Sequence, residues 1–177
     1  MKILKTAQTL AVAGVALAVA SCSKPQSVSD LKAAIVSLRL AGQEDRTSED
    51  RYHGLLADAR ARFAMAKTEL SANAAAACSQ ALDRAADVAL VWTDTDGIAD
   101  GLTPVVEAPL QRLGVVKGDA DFAKRANAFI PMQESPDDDT ADEAAAKQQE
   151  RDAARQDLIK EAMDAAGPAL AKAEGAL

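Results

Sequence analysis

The sequence predicts an all-α fold, an elongated bundle of about four to six helices, and three observations carry that prediction. Alanine supplies 42 of the 177 residues, 36 of them after Cys22, and alanine favours helix because it loses no side-chain entropy on ordering. Apolar residues recur at spacings of three and four between short polar segments, the period of a helix face and not of a strand. Runs of β-branched residues long enough to form strands are nearly absent. Aromatic residues make up only 3% of the chain, so the core must be thin and the helices must approach one another closely.

The chain opens with Met1-Lys2-Ile3-Leu4-Lys5, followed by an unbroken run of 11 residues from Leu10 to Ala20 without a polar side chain. Two lysines ahead of so short a run fit a secretory leader, because a helix that crosses a bilayer needs roughly 20 apolar residues. The run closes with Val19-Ala20-Ser21-Cys22: one aliphatic residue, two small ones and a cysteine. With the leader before it, this segment resembles the lipobox of bacterial lipoproteins. The resemblance implies that residues 1–21 are a signal peptide, that cleavage falls between Ser21 and Cys22, and that Cys22 carries a thioether-linked diacylglycerol, with further acylation of the new amino group. Ser23, standing where an aspartate would direct retention at the inner membrane, implies an outer-membrane address facing the periplasm. A thioether at Cys22 leaves Cys78 with no disulfide partner in the chain. Its place after Ala74-Ala75-Ala76-Ala77 marks it as a small buried apolar residue.

Residues 22–29, polar and containing Pro25, read as a tether. A helical domain is expected over 30–166. Ser29 caps the first helix, whose stripe is Leu31, Ala34, Ile35 and Leu38, ending near Gly42. The next start signal is Thr47 or Ser48, with Glu49 and Asp50 in the first turn, where the helix dipole favours acids. Tyr52, Leu56, Ala59, Phe63, Ala66 and Leu70 then form a heptad-like, coiled-coil seam suited to lengthwise packing. The seam weakens at Ser71-Ala72-Asn73, and a new stripe appears at Cys78, Leu82, Ala85, Ala89 and Trp92. A single helix over 48–92 would extend about 68 Å, too long for a compact domain of this size, so a break is expected there.

Thr93-Asp94-Thr95-Asp96-Gly97 stops that helix. A short helix begins at Thr103-Pro104, and an amphipathic segment over Asp119–Ile130 carries Phe122, Ala126 and Phe129 until Pro131 ends it. Gln133 to Asp139 is an acidic linker. The last helix opens with the capping box Thr140-Ala141-Asp142-Glu143 and is expected to stop at Gly167-Pro168, leaving 167–177 as a flexible tail. Its first half is polar on nearly every side. Leu158, Ile159, Ala162 and Met163 form its one apolar face, and Leu158, Ile159 and Met163 are the candidate partner-binding residues.

The chemistry of the chain argues against catalysis. His53 is the one histidine, and zinc sites, di-iron bundles and acid–base triads require more histidine or paired cysteine. Asp50 and His53 supply half of a di-iron motif and nothing supplies the other half. A calcium loop read from Asp96 places Asp100, Gly101 and Glu107 correctly, but Ile98 stands where the third ligand belongs and Pro104 at the ninth place. An ordinary Asp/Gly turn accounts for the composition. No cofactor or metal is expected.

Lys2 and Lys5 leave with the leader, so the net charge of −7 becomes −9. That charge repels phosphate backbones and anionic lipid heads, so nucleic acid is excluded as a partner and the membrane is reached through lipid. The expected function is a non-catalytic binding or structural role in the cell envelope with a protein partner there. The alternative is an acidic inhibitor or immunity lipoprotein that neutralises a periplasmic hydrolase.

Overall fold

The structure, a computed structural model, describes residues 24–44, 47–93, 98, 101–129 and 141–177. The leader, Ser21 and Cys22, the stop at 94–97, Pro131, the acidic linker and the Thr140 cap lie outside the described residues. Among the described residues there are six α-helices and no strand.

Helix α1 spans Gln26–Gln43 and buries Leu31, Ala34, Ile35 and Leu38, the stripe its sequence sets out. It starts three residues before Ser29. The extended Pro25 offers its carbonyl to the Val28 and Ser29 amides, both at 3.1 Å, so proline opens the helix and the expected tether is shorter than 22–29. Helix α2, Glu49–Ala66, begins where the capping signal places it, with the Ser48 hydroxyl accepting from the Arg51 amide at 3.3 Å. The expected break falls between Ala66 and Ala72. A single turn of 3₁₀ helix over Lys67–Glu69 and an extended Leu70 reverse the chain, and the Ser71 hydroxyl accepts the Ala74 amide.

Helix α3, Ala72–Thr93, is the most enclosed of the helices, burying Cys78, Ala81, Leu82, Ala85, Val88, Val91 and Trp92 among others. Helix α4, Pro104–Leu113, carries proline at its first position, where no amide is needed. It ends at Gly114, whose φ of 82° supplies the left-handed cap. Helix α5 covers Asp119–Phe129 and buries Phe122 and Phe129. Helix α6, Ala141–Ala176, has 36 residues and a length of about 54 Å.

Four of these helices close a ring, in which α1 lies beside α2, α2 beside α3, α3 beside α6, and α6 beside α1. Neighbours run antiparallel. Arg62 on α2 meets Asp30 on α1 at 3.3 Å while Arg51 meets Glu44 at 2.8 Å, and Arg39 on α1 meets Glu174 on α6 at 2.8 Å. Helix α4 packs on α3, and α5 is tied to α6 by Arg125 and Glu161 at 2.9 Å.

Two expectations are overturned along α6. The helix does not stop at Gly167-Pro168 but continues to Ala176, so 167–177 is not a tail. Leu170, Ala173 and Leu177 are buried in the core, extending the stripe of Ala162, Met163 and Ala166. Pro168 stands on the exposed side, and the apolar burial beyond it outweighs the cost of a proline within a helix, about 3 kcal/mol. Leu158, Ile159 and Met163 are likewise not an open partner face. They are 3%, 1% and 6% exposed, because the bundle itself covers the face that looks sticky in isolation.

Ile35 is fully buried and Ser37 is exposed on the same helix. Ile35→Ala is expected to lower the unfolding free energy by about 2–5 kcal/mol, and Ser37→Ala to change it by less than about 0.5 kcal/mol. Urea titrations of the two variants measure the difference. Equal effects would mean that α1 does not present this face to the core.

Candidate functional site

One end of the bundle gathers the start of α1, the α2–α3 connection and the last residues of α6. Lys24 Nζ donates to the Leu177 backbone oxygen, and the Ser27 hydroxyl donates to the Glu69 carboxylate. Cys22 precedes this end by two residues in sequence. At the opposite end lie the α1–α2 turn, the start of α2 and the first half of α6. Residues 142–157 of α6 include none that is fully buried, although Lys147, Arg151, Ala154 and Arg155 are half-buried along one side, and full burial begins at Leu158. A shallow groove of polar character runs between Thr47 and Ser48 on one side and Gln149, Asp152, Gln156 and Asp157 on the other. The sequence anticipates this contrast within α6, since its first half lacks an apolar stripe.

A second feature has no counterpart in the sequence reading. Between the last turns of α1 and the middle of α6 there is a crevice of about 270 Å³ with Tyr52 of α2 among its walls. Leu38, Met163 and Leu170 supply apolar lining. Gly42 and Gly167 leave space because they have no side chains: at Gly42 a Cβ would stand 3.6 Å from that of Met163, and at Gly167 a Cβ would meet nothing within 4 Å. Arg39 and Asp164 bring charge to the same crevice. Arg39 directs Nε to Glu174 and Nη1 to Gln43, while Asp164 is engaged by Lys160.

Tyr52 itself is 1% exposed, its ring centroid 5.4 Å from that of Trp92, and its hydroxyl is enclosed without a hydrogen-bond partner. Burial pushes the phenol well above its ordinary range, so it stays protonated, with both its proton and its oxygen lone pairs unengaged. An unpaired buried hydroxyl costs about 1–3 kcal/mol, and a phenylalanine would avoid that cost. Sequence reasoning places Tyr52 on the core seam, correctly, but nothing local shows that its hydroxyl lacks an acceptor.

Cys78 is fully buried in the core of α3, and desolvation raises its thiol above the ordinary value. His53 is half-buried, with Nε2 3.9 Å from Glu49, and its i−3 neighbour Asp50 is exposed. No group of three or more His, Cys, Asp or Glu side chains among the described residues is arranged to hold a metal. Of the calcium reading, Asp96 and Asp100 lie outside the described residues, and Glu107 sits in the first turn of α4, accepting from Gln111 at 2.8 Å. Asp87, almost wholly buried, receives Nε and Nη2 of Arg112 at 2.9 and 2.6 Å, which pins α4 to α3 and raises the guanidinium's affinity for its proton. The sequence carries no sign of that pair, because its members stand on different helices.

No helix among the described residues is long and apolar enough to cross a membrane. No protein family, curated protein or solved structure matches the chain.

Tyr52→Phe is expected to raise stability by about 1 kcal/mol, since it removes the orphaned hydroxyl without opening a void. Urea unfolding followed by Trp92 fluorescence measures this, and a loss of stability would reveal a structural partner for the hydroxyl. The Cys78 thiol is expected to react with a soluble disulfide reagent only as fast as the bundle opens. Labelling at one rate in water and in denaturing urea would place that thiol at the surface.

Proposed function

We infer that this chain is a lipid-anchored protein of the bacterial cell envelope, held through Cys22 at the outer membrane and facing the periplasm, with a non-catalytic binding or structural role. The leader and Val19-Ala20-Ser21-Cys22 support the anchor. The observation that carries the reading is the shortness of the connection. Only residues 23–25 separate Cys22 from the first residue of α1, and Lys24 is tied to Leu177. A lipid on Cys22 therefore holds that end of the bundle close to the bilayer, and the polar half of α6 stands at the far end, available to a protein partner.

Two or three acyl chains suffice for durable attachment, since each buried methylene contributes about 0.8 kcal/mol. The mature charge of −9 disfavours direct contact with anionic lipid heads, which leaves the acyl chains as the attachment. The same charge supports the second reading, an acidic inhibitor or immunity lipoprotein that meets a basic periplasmic hydrolase.

Wild-type chain from envelope fractions is expected to partition into the detergent phase with labelled palmitate on Cys22, and Cys22→Ser to move to the aqueous phase without label. An unmodified Cys22, or a mature end elsewhere, would refute the anchor. A photo-crosslinking residue at Gln149 is expected to capture an envelope protein that the same residue at Ser37 does not. Capture of a basic hydrolase there would decide for the inhibitor reading, and equal capture at both positions would remove the far end of α6 as the binding element.

A further inference from the structure

The first half of α6 sorts its charges by side. Over 142–157 its cations, Lys147, Arg151 and Arg155, recur every four residues along the half-buried side, while its acids, Asp142, Glu143, Glu150, Asp152 and Asp157, are all exposed. The outward face therefore carries one sign of charge over about four turns. Elsewhere on the bundle surface acids are answered by arginines, Asp30 and Asp58 by Arg62, Glu44 by Arg51 and Glu161 by Arg125. Glu150 and Asp157 have no such cation among the described residues, and Asp152 is engaged by the Gln148 amide alone. Like charges gathered on one helix face repel, and a cation brought by a partner removes that cost.

This face borders the groove at the α1–α2 turn, about 600 Å³ in volume, whose chemistry selects the same kind of ligand. Among the described residues its charged lining is Asp152 and Asp157, and Gln149 and Gln156 add amide oxygens that can accept. The positive end of the α2 dipole at Ser48 is met by Glu49 and Asp50 in its own first turn, so it does not make the groove an anion site. Two carboxylates do not make a metal site, and no group of three or more ligating side chains is arranged for one among the described residues. What fits is a donor with positive charge and the length to reach between two helices, the properties of an arginine side chain. We propose that the outward face of 142–157 docks a basic segment of a protein partner. One arginine of that segment enters the groove between Ser48 and Asp152, and further cations lie along Glu150 and Asp157. The proposal rests on the reading of this end of α6 as the partner-binding end, and adds the chemistry of the partner.

The probe is a labelled alanine peptide with arginine at every fourth position, set against its counterpart with glutamate in place of arginine. The full chain carrying Cys22→Ser is used, so that lipid plays no part. Fluorescence anisotropy at physiological ionic strength is expected to show saturable, one-to-one binding of the arginine peptide and none of the glutamate peptide. Glu150→Lys with Asp157→Lys is expected to weaken binding about tenfold. Asp83→Lys with Asp119→Lys reverses two exposed acids on α3 and α5 for the same change in net charge, and is expected to leave affinity within about twofold. Ala153→Tyr, which fills the groove and alters no charge, is expected to weaken binding about fivefold with the helical circular-dichroism signal intact. The proposal is overturned by no binding of the arginine peptide, by equal weakening from the two pairs of reversals, by undiminished binding to Ala153→Tyr, or by equal binding of the glutamate peptide. Its failure is separable from that of the reading it rests on. Capture of a partner at Gln149 by a chain that ignores the arginine peptide refutes the basic segment and keeps the binding end, and peptide binding without capture from the envelope keeps the chemistry of the face and refutes an envelope partner there.

Discussion

Buried alanine at the helix contacts is the constraint on which the bundle depends. Ala59 of α2, Ala81 and Ala85 of α3, and Ala162, Ala166 and Ala173 of α6 are all fully enclosed in one core. Each contributes little apolar area, so the fold gains from many close backbone approaches and not from a few large anchors. Such an interface has little tolerance for growth, because one added methylene must push two helices apart or force a strained rotamer. Larger side chains are correspondingly confined. Tyr52 and Trp92 meet near the end of the bundle that holds the α1–α2 turn, and the crevice opens on that same tyrosine.

Much of the architecture was legible in the chain because the deciding signals are local. The Ser48 cap, the acids of the first turn of α2, the proline that opens α4 and the failing seam at Ser71 each act within a few residues of themselves. What escaped is non-local. Gly167-Pro168 is a sound stop signal judged by its neighbours, yet Leu170, Ala173 and Leu177 find a core to enter, and their burial carries the helix onward. Leu158, Ile159 and Met163 look like a free face for the same reason, since the helices that cover them are far away in sequence. The pairing of Asp87 with Arg112 and the crevice between Gly42 and Gly167 likewise arise only when distant helices meet.

The two ends of the molecule differ in chemistry. At the end where α1 begins, the chain turns are short and polar groups close on each other, Lys24 on the Leu177 backbone oxygen and Ser27 on Glu69. At the other, the first half of α6 is polar and exposed on all but one side, where Arg151, Ala154 and Arg155 are half-buried. A single anchoring point at the first end would orient the whole body, because α1 begins almost at once and allows little pivoting.

The change in character at Leu158 divides α6 into two lengths held by different forces. Over 142–157 no residue is fully buried and only one side, with Lys147, Arg151, Ala154 and Arg155, is half-buried, so alanine propensity and local pairs such as Gln148 with Asp152 carry a larger share of that segment than they do beyond it. From Leu158 onward the same helix is locked by tertiary burial. Amide hydrogens should therefore exchange in a gradient that runs inward from Ala141, with protection rising sharply at the point where the core begins. The outermost turns can therefore fray before the bundle opens, so they can adjust to a surface at little expense to the fold.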